Sequence, residues 1–147
     1  MNLDELRAMS LDELETLYEK APMGPEPSGC TRGVVLRYLA SVPWVRALDW
    51  LMFEAPPFGV DFDTRTWWFF HPRFRLGRFL ASVGPSRWRE TRAMRLNYRA
   101  SQLPEPVRVF LYDEIKPIGD GLCLGIGGVN RERGEGEHFF FALKSIP

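Results

Sequence analysis

The stretch RVFLYDEIKPIGDGLCLGIGGV, from Arg108 to Val129, decides the fold class. Two apolar runs flank KPIGDG, whose proline and glycines are typical of a turn. A third apolar run, HFFFALKSI, follows a second turn-like segment, NRERGEGE. Short apolar runs separated by turn signals predict three strands in an antiparallel meander. Because this half of the chain lacks helical patterns, the sequence excludes a parallel doubly wound sheet.

The first part of the chain, residues 1–22, is predicted to be helical. Ser10 and Glu13 fit a capping box, and apolar residues from Leu11 to Tyr18 recur at helical spacing. The Pro-rich connection APMGPEPSG then ends the helical segment. Strands follow, and a short buried or capping helix is expected to begin at Pro43, since proline suits a first helical position.

The whole chain, residues 1–147, is expected to fold as one domain, with the barrel over 30–147. Its 45% hydrophobic and 14% aromatic content is sufficient for a core. Many antiparallel strands with few helices predict a mainly β, lipocalin-like barrel, closed at one end by the helices. Closure removes the exposed edges that aromatic strands would otherwise present.

Bulk composition excludes several classes of protein. No run of about 18 apolar residues occurs, so no membrane span is expected. The acidic start is unlike a secretory signal, which predicts a cytoplasmic protein. His71 and His138 are too few and too far apart in sequence for a metal site, and no cofactor is predicted. Cys30 and Cys123 have no motif spacing and are interpreted as free thiols, with any function left open.

Side-chain alternation selects a candidate site on the predicted strand 107–115. One face of this strand is apolar apart from Asp113 and should point inward, which leaves Glu114 and Lys116 outside. The same alternation predicts further inward side chains on the other strands: Met94, Leu96, Tyr98, Leu122, Leu124, Ile126, Phe139, Phe141 and Leu143. Arg92 shares the face of Met94, nearer the rim.

An ionised Asp113 inside an apolar barrel would be costly unless it is paired. Arg92 could pair with it in a bidentate geometry. Alternatively, desolvation raises the pKa of Asp113 and makes it a candidate acid or base. In a third interpretation, Asp113 marks the strand end and contacts solvent or turn amides. The sequence does not choose among these three.

The middle of the chain is rich in arginine. Nine arginines and a single acid, Glu90, lie between Arg65 and Arg99, interleaved with aromatic residues. That composition is typical of a single-strand nucleic-acid surface. The chain is neutral overall, however, and the arginines alternate with core positions. We therefore expect an outer row of arginines facing the acidic N-terminal helices, and no nucleic-acid partner.

Four segments carry a resemblance: APMGPEPSGCTRG, LNY, YDEIKPIGDGLCLGIGGV and FFFALK. They resemble segments of an uncharacterised group of small bacterial proteins, over about half the chain. The three-strand C-terminal part with its helical lead-in also resembles a calycin-type barrel, the architecture of lipocalins and fatty-acid-binding proteins. The resemblance implies a fold and no activity, and the Gly-x-Trp signature of lipocalins is absent.

Three functions are consistent with the sequence. The first is binding of a hydrophobic or amphiphilic small molecule inside the barrel, with these ligand-binding residues: Arg92, Met94, Tyr98, Leu111, Asp113 and Phe141. The second is an enzyme that acts on such a molecule, with Asp113 as acid or base and Tyr98 as hydrogen-bond donor. The third is an interaction module with a filled core. The sequence leaves open whether the protein forms a homodimer.

Overall fold

The structure, a computed structural model, describes residues 1–147 and contains four helices and nine strands. The helices are α1 (Leu3–Ala8), α2 (Leu11–Lys20), α3 (Pro43–Phe53) and α4 (Glu105–Phe110). The strands are β1 (Thr31–Tyr38), β2 (Phe58–Asp61), β3 (Thr66–Phe69), β4 (Arg75–Arg78), β5 (Leu80–Pro85), β6 (Arg92–Asn97), β7 (Leu111–Gly119), β8 (Leu122–Val129) and β9 (Glu137–Ser145). The mainly β class and the antiparallel pairing are confirmed. None of the helices is both long and apolar enough to cross a membrane.

The strands form two sheets, and no closed barrel is found. Six strands pair in the order β1-β9-β8-β7-β6-β5, and three pair in the order β2-β3-β4. Between the sheets, β1 meets β2 only at its start, through a bridge from Cys30 to Asp61. There the Thr31 Oγ1 also donates to the Val60 carbonyl at 2.8 Å. The predicted meander is present as β7, β8 and β9.

The central strands of the six-stranded sheet, β7 to β9, are buried on both faces. The space between the two sheets is filled by what we call the aromatic core: Phe58, Val60, Phe62, Trp67, Phe79, Met94, Leu96, Tyr98, Ile115, Cys123, Phe139, Phe141 and Leu143. The opposite face packs under α1 and α2 in the helix-side core: Leu6, Leu14, Tyr18, Leu36, Trp88, Ala93, Tyr112, Leu122, Leu124, Ile126, Phe140 and Ala142. This arrangement makes the sheet the central layer of the fold.

The N-terminal helices begin as the sequence predicts. Ser10 and Glu13 form a complete capping box at α2, and a second capping box precedes α1. A buried ion pair then attaches α2 to the sheet. Arg89 donates to Glu15 at 2.5 and 2.6 Å and to Glu137 at 2.9 Å. The sequence predicted an outer row of arginines facing the acidic helices. Arg89 makes such a contact, but it is buried rather than on the outer surface.

Helix α3 begins at Pro43, as predicted, and is anchored at its end by Phe53. The Phe53 ring lies 5.0 Å from the Phe139 ring and 5.4 Å from the Phe58 ring, centroid to centroid. The rest of the helix is less buried than expected, since Trp44 remains 70% exposed. It therefore contacts the core mainly through one residue.

The predicted strand over 107–115 is wrong in its first half. Residues Glu105–Phe110 form α4, and β7 begins only at Leu111. Pro104 and Pro106 explain the difference, because proline fits a helix start and cannot donate to a strand ladder. Val107 and Val109, predicted to point inward, are exposed.

Two predicted orientations are also wrong, for one reason. Glu114 and Lys116 were expected outside, yet they are 0% and 1% exposed under the N-terminal helices. Leu122, Leu124 and Ile126 were placed on the same interior face as Phe141 but face the helix-side core. The position of β8 opposite Phe141 is held by Gly125, where an added Cβ would lie 2.3 Å from the Phe141 ring. Alternation alone cannot tell one buried face from two.

Candidate functional site

Two of the predicted site residues, Tyr98 and Asp113, come together at the edge of the aromatic core. The Trp67 Nε1 donates to the Tyr98 hydroxyl at 2.5 Å, and that hydroxyl donates to the Asp113 Oδ2. Tyr98 is 2% exposed, whereas Asp113 is partly exposed. Strands β6 and β7 bring the pair together, because Leu96 lies opposite Asp113 in the register.

Burial sets the chemistry of this hydrogen-bonded chain. Desolvation raises the pKa of Asp113 to about 7, while hydrogen bonds from Tyr98 and from the Gly128 backbone act in the opposite direction. Desolvation and the nearby Asp113 carboxylate also raise the pKa of Tyr98 well above its usual value. Asp113 can therefore exchange a proton near neutral pH, with Tyr98 as its fixed hydrogen-bond donor.

The remaining predicted residues do not complete an interior pocket. Arg92 is exposed at the start of β6 and forms no ion pair with Asp113, so the predicted Arg92–Asp113 pair is wrong. Met94 and Phe141 are buried in the aromatic core, and Leu111 is partly buried. Rings occupy the interior there, with the Phe141 ring 5.8 Å from the Trp67 ring. Arg92 fails because it lies at the strand end, where alternation no longer fixes burial.

A larger polar surface lies on the other side of the sheet, in an open groove of about 540 Å³. We call it the arginine groove. It runs between the β5–β6 hairpin and the end of α4 with the start of β7. Its lining contains four arginines and no acidic residue: Ser82, Pro85, Ser86, Arg87, Arg95, Asn97, Arg99, Arg108, Val109, Leu111, Tyr112 and Asn130.

The four arginines of the groove differ in their contacts. Arg87 is engaged, since its Nε donates to the Arg131 carbonyl at 2.8 Å and its guanidinium pairs with Glu132 at 3.1 Å. The side chains of Arg95, Arg99 and Arg108 have no hydrogen-bonded or ion-paired acceptor in the protein. Three guanidinium groups are thus available to an anion.

The Arg95 side chain lies directly against the backbone of β5. An added Cβ at Gly84 would come within 2.7 Å of the Arg95 guanidinium. The absence of a side chain at residue 84 therefore leaves the space that this guanidinium occupies. Arg95 is partly buried as a result, which restricts its motion compared with a free surface arginine.

Glu114 supports the groove from behind. Its carboxylate accepts hydrogen bonds from the Ser86 hydroxyl at 2.5 Å, the Arg87 amide at 2.5 Å and the Tyr112 hydroxyl at 2.7 Å. The Tyr18 hydroxyl of α2 adds a fourth bond at 3.2 Å. Because three of these donors belong to groove-lining residues, Glu114 fixes the shape of that wall. A buried carboxylate needs such complete pairing.

Sequence reasoning found the arginine-rich segment but missed the groove. Arg95 and Arg99 belong to the predicted outer row, but Arg108 was assigned to a strand. The acidic, amphipathic N-terminal helices were a usable signal, because they need a second apolar sheet face to cover. With a second buried face, Tyr112 and Glu114 would have been predicted to lie under the helices. The arginines outside the area covered by the helices would then have been recognised as a separate surface.

The comparisons with known proteins bear on the fold. No family model and no curated protein matches the chain. A crystal structure of a protein from Thermomonospora curvata is similar, with a TM-score of 0.55 and 15% identity. The match covers 95% of this chain and 89% of that chain. At this identity the similarity supports the fold alone.

Proposed function

We propose that the protein binds an amphiphilic small molecule through an anionic headgroup, a carboxylate or a phosphate, held in the arginine groove. The observation that carries the proposal is the lining itself, with four arginines, no acid and three guanidinium groups without a protein acceptor. The predicted ligand class is kept, but its site moves from the interior to the surface. Of the predicted ligand residues, Leu111 lines this groove.

The physical support is the cost of unpaired like charges. Guanidinium groups gathered around one groove repel one another, and an anion that bridges them removes that repulsion. The planar guanidinium binds carboxylate or phosphate in a bidentate geometry. Pro85, Val109 and Leu111 supply apolar surface for the rest of the molecule. The groove volume lies within the range of about 300–1,000 Å³ found for small-molecule sites.

Isothermal titration calorimetry with octyl phosphate tests the proposal. Arg95→Gln should weaken binding by about 10- to 100-fold, since a charge-assisted hydrogen bond contributes about 1.5–3 kcal/mol. Arg92→Gln is the matched control, because Arg92 is exposed on the same strand and does not line the groove. Binding should also weaken as the salt concentration rises.

Two outcomes contradict this proposal. One is an equal loss of octyl phosphate affinity in Arg95→Gln and Arg92→Gln, which would place the anion elsewhere. The other is equal binding of octyltrimethylammonium, which would show that the alkyl chain alone is recognised.

An enzyme acting through Asp113 is the second candidate, and the hydrogen-bonded chain of Trp67, Tyr98 and Asp113 favours it. A pKa of about 7 suits a general acid or base near neutral pH. A substrate must reach that carboxyl group. Labelling with a water-soluble carbodiimide at pH 6, read by peptide mass spectrometry, measures this access. An unlabelled Asp113 in the folded protein, beside labelled Asp113 in the unfolded chain, would argue against catalysis.

A further inference from the structure

Strand β1 has a free edge beside a second groove. β1 pairs with β9 on one side and is an end strand of its sheet. On the other side, β2 is hydrogen-bonded to it only around Cys30 and Thr31; farther along, the Phe58 ring packs against Gly33, but the strand pairing does not continue. The gap forms an open groove of about 760 Å³, which we call the β1 groove. Its two walls are residues 32–35 of β1 and residues 53–58, which end α3 and begin β2.

The backbone of β1 presents hydrogen-bonding groups to this groove. The Ile146 amide donates to the Cys30 carbonyl at 3.0 Å, so Cys30 bonds toward β9. The Thr31 carbonyl points the other way, because it accepts from the Trp68 Nε1 at 2.9 Å. Antiparallel strands alternate in this manner, which directs the amides and carbonyls of Gly33 and Val35 into the groove. An extended chain laid there would continue the sheet.

The two faces beside this edge differ in character. On the helix side, Arg32 lies directly opposite Lys144 in the register, and Arg7 completes a cationic wall. Like charges directly opposite each other are unfavourable, and Arg32 has no acceptor in the protein. Arg7 is already paired with Asp4 at 3.4 Å, and the Lys144 Nζ donates to the Asp120 carbonyl at 2.7 Å.

On the face toward the aromatic core, the edge is apolar. Val35, Phe53 and Phe58 line the groove there, and Glu54 is its one acidic residue. Successive side chains of a strand point to opposite faces. A strand that fits both sides therefore alternates acidic residues, facing Arg32 and Lys144, with apolar residues.

We propose that the β1 groove binds an extended peptide segment of a partner protein, antiparallel to β1, with acidic and apolar residues in alternation. A second copy of β1 fits poorly. The β1 sequence, TRGVVLRY, contains no acidic residue, so a second copy supplies no carboxylate to Arg32. An acidic strand offsets the repulsion between Arg32 and Lys144, whereas a second β1 offers no negative charge to either residue.

Fluorescence polarisation with a labelled hexapeptide of sequence Glu-Val-Glu-Val-Glu-Val tests the proposal. In the antiparallel arrangement, residues directly opposite share a face, so the valines lie opposite Gly33 and Val35 and their amides donate to β1. N-methylation of the three valine amides should abolish binding. N-methylation of the three glutamate amides should leave binding largely intact. The Lys-Val-Lys-Val-Lys-Val peptide should not bind.

Protein variants test the same geometry. Val35→Pro removes one outward amide without affecting the bonds to β9, and proline is tolerated at that edge of a strand. It should weaken binding by about fivefold to tenfold, as for the loss of one hydrogen bond. Val35→Ala is the control for the lost side chain. It should bind the peptide about fivefold to tenfold more tightly than Val35→Pro. Arg32→Glu should weaken binding further.

Several outcomes would overturn this proposal. Absence of peptide binding at millimolar concentration would do so, as would equal binding of the two N-methylated peptides. Displacement of the peptide by octyl phosphate would assign the groove to a small amphiphile. A dimer in light scattering that dissociates in Val35→Pro would assign the edge to a second copy. Because the β1 groove and the arginine groove share no residue, either proposal can fail alone.

Discussion

Replacing Asp113 by Asn removes one titration from the folded protein. Burial raises the pKa of this carboxyl group to about 7, from an ordinary value of 3.8. The folded chain therefore binds the proton more tightly than the unfolded chain between these two values. By linkage, the stabilisation is fully present below about pH 4 and is lost as the pH rises through about 7.

The size of the effect follows from the two pKa values. A tenfold change in proton affinity corresponds to about 1.4 kcal/mol, so the full difference is about 4 kcal/mol. Partial contact of Asp113 with solvent screens its charge and reduces this figure. We expect the wild-type protein to lose about 2–4 kcal/mol of unfolding free energy between pH 4 and pH 8, relative to Asp113→Asn. The Asn amide oxygen still accepts from Tyr98.

Urea unfolding of both proteins at several pH values measures this difference. The other carboxyl groups titrate in both proteins, so subtracting one curve from the other isolates Asp113. The reasoning is refuted if the difference in unfolding free energy is constant from pH 4 to pH 8. A wild-type unfolding free energy that rises with pH relative to Asp113→Asn would reverse the sign and place a cation beside Asp113 instead.

Three further predictions concern packing and positioning. Phe141→Ala should lower the unfolding free energy by about 3–5 kcal/mol, because the ring is fully buried against Trp67; an unchanged melting temperature would contradict this. Lys116→Met should cost about 2–3 kcal/mol in urea unfolding, since the Tyr18 carbonyl of α2 and the Ala21 carbonyl just after it, both bonded by Lys116 at 2.6 Å, would lose their donor. Gly84→Ala should displace the Arg95 guanidinium and weaken octyl phosphate binding several-fold, with a melting temperature close to that of the wild-type protein; unchanged affinity would show that Arg95 is not held by this contact.

Local sequence signals predicted the parts of the fold that depend on local chemistry. The capping box at Ser10, the helix start at Pro43 and the meander of β7, β8 and β9 are all present. Alternation also brought Tyr98 and Asp113 to one face, because β6 and β7 pair in register and both residues follow the same alternation as their buried neighbours.

The wrong predictions of secondary structure and burial came mainly from contacts between residues that are distant in sequence. Val107 and Val109 alternate like strand residues, but the adjacent prolines favour a helix there. Glu114 and Lys116 look like solvent-facing residues, yet α2 covers them. The Tyr18 hydroxyl donates to Glu114, and the carbonyls of Tyr18 and of Ala21, just after α2, accept from Lys116. The acceptors of a buried lysine can be far away in sequence, so no window along the chain reveals them.

The pairing of β1 with β9 joins the first strand to the last, with Thr31 opposite Ser145. Each strand from β5 to β9 pairs with the next strand in the chain, whereas the pairing of β1 with β9 requires a much longer loop to close. Strand β1 is paired on one side only. We therefore expect this pairing to open and reclose more readily than the pairings among the central strands. A partner strand bound along β1 would stabilise the β1–β9 pairing. It would make the protein more resistant to local opening as well as more stable overall.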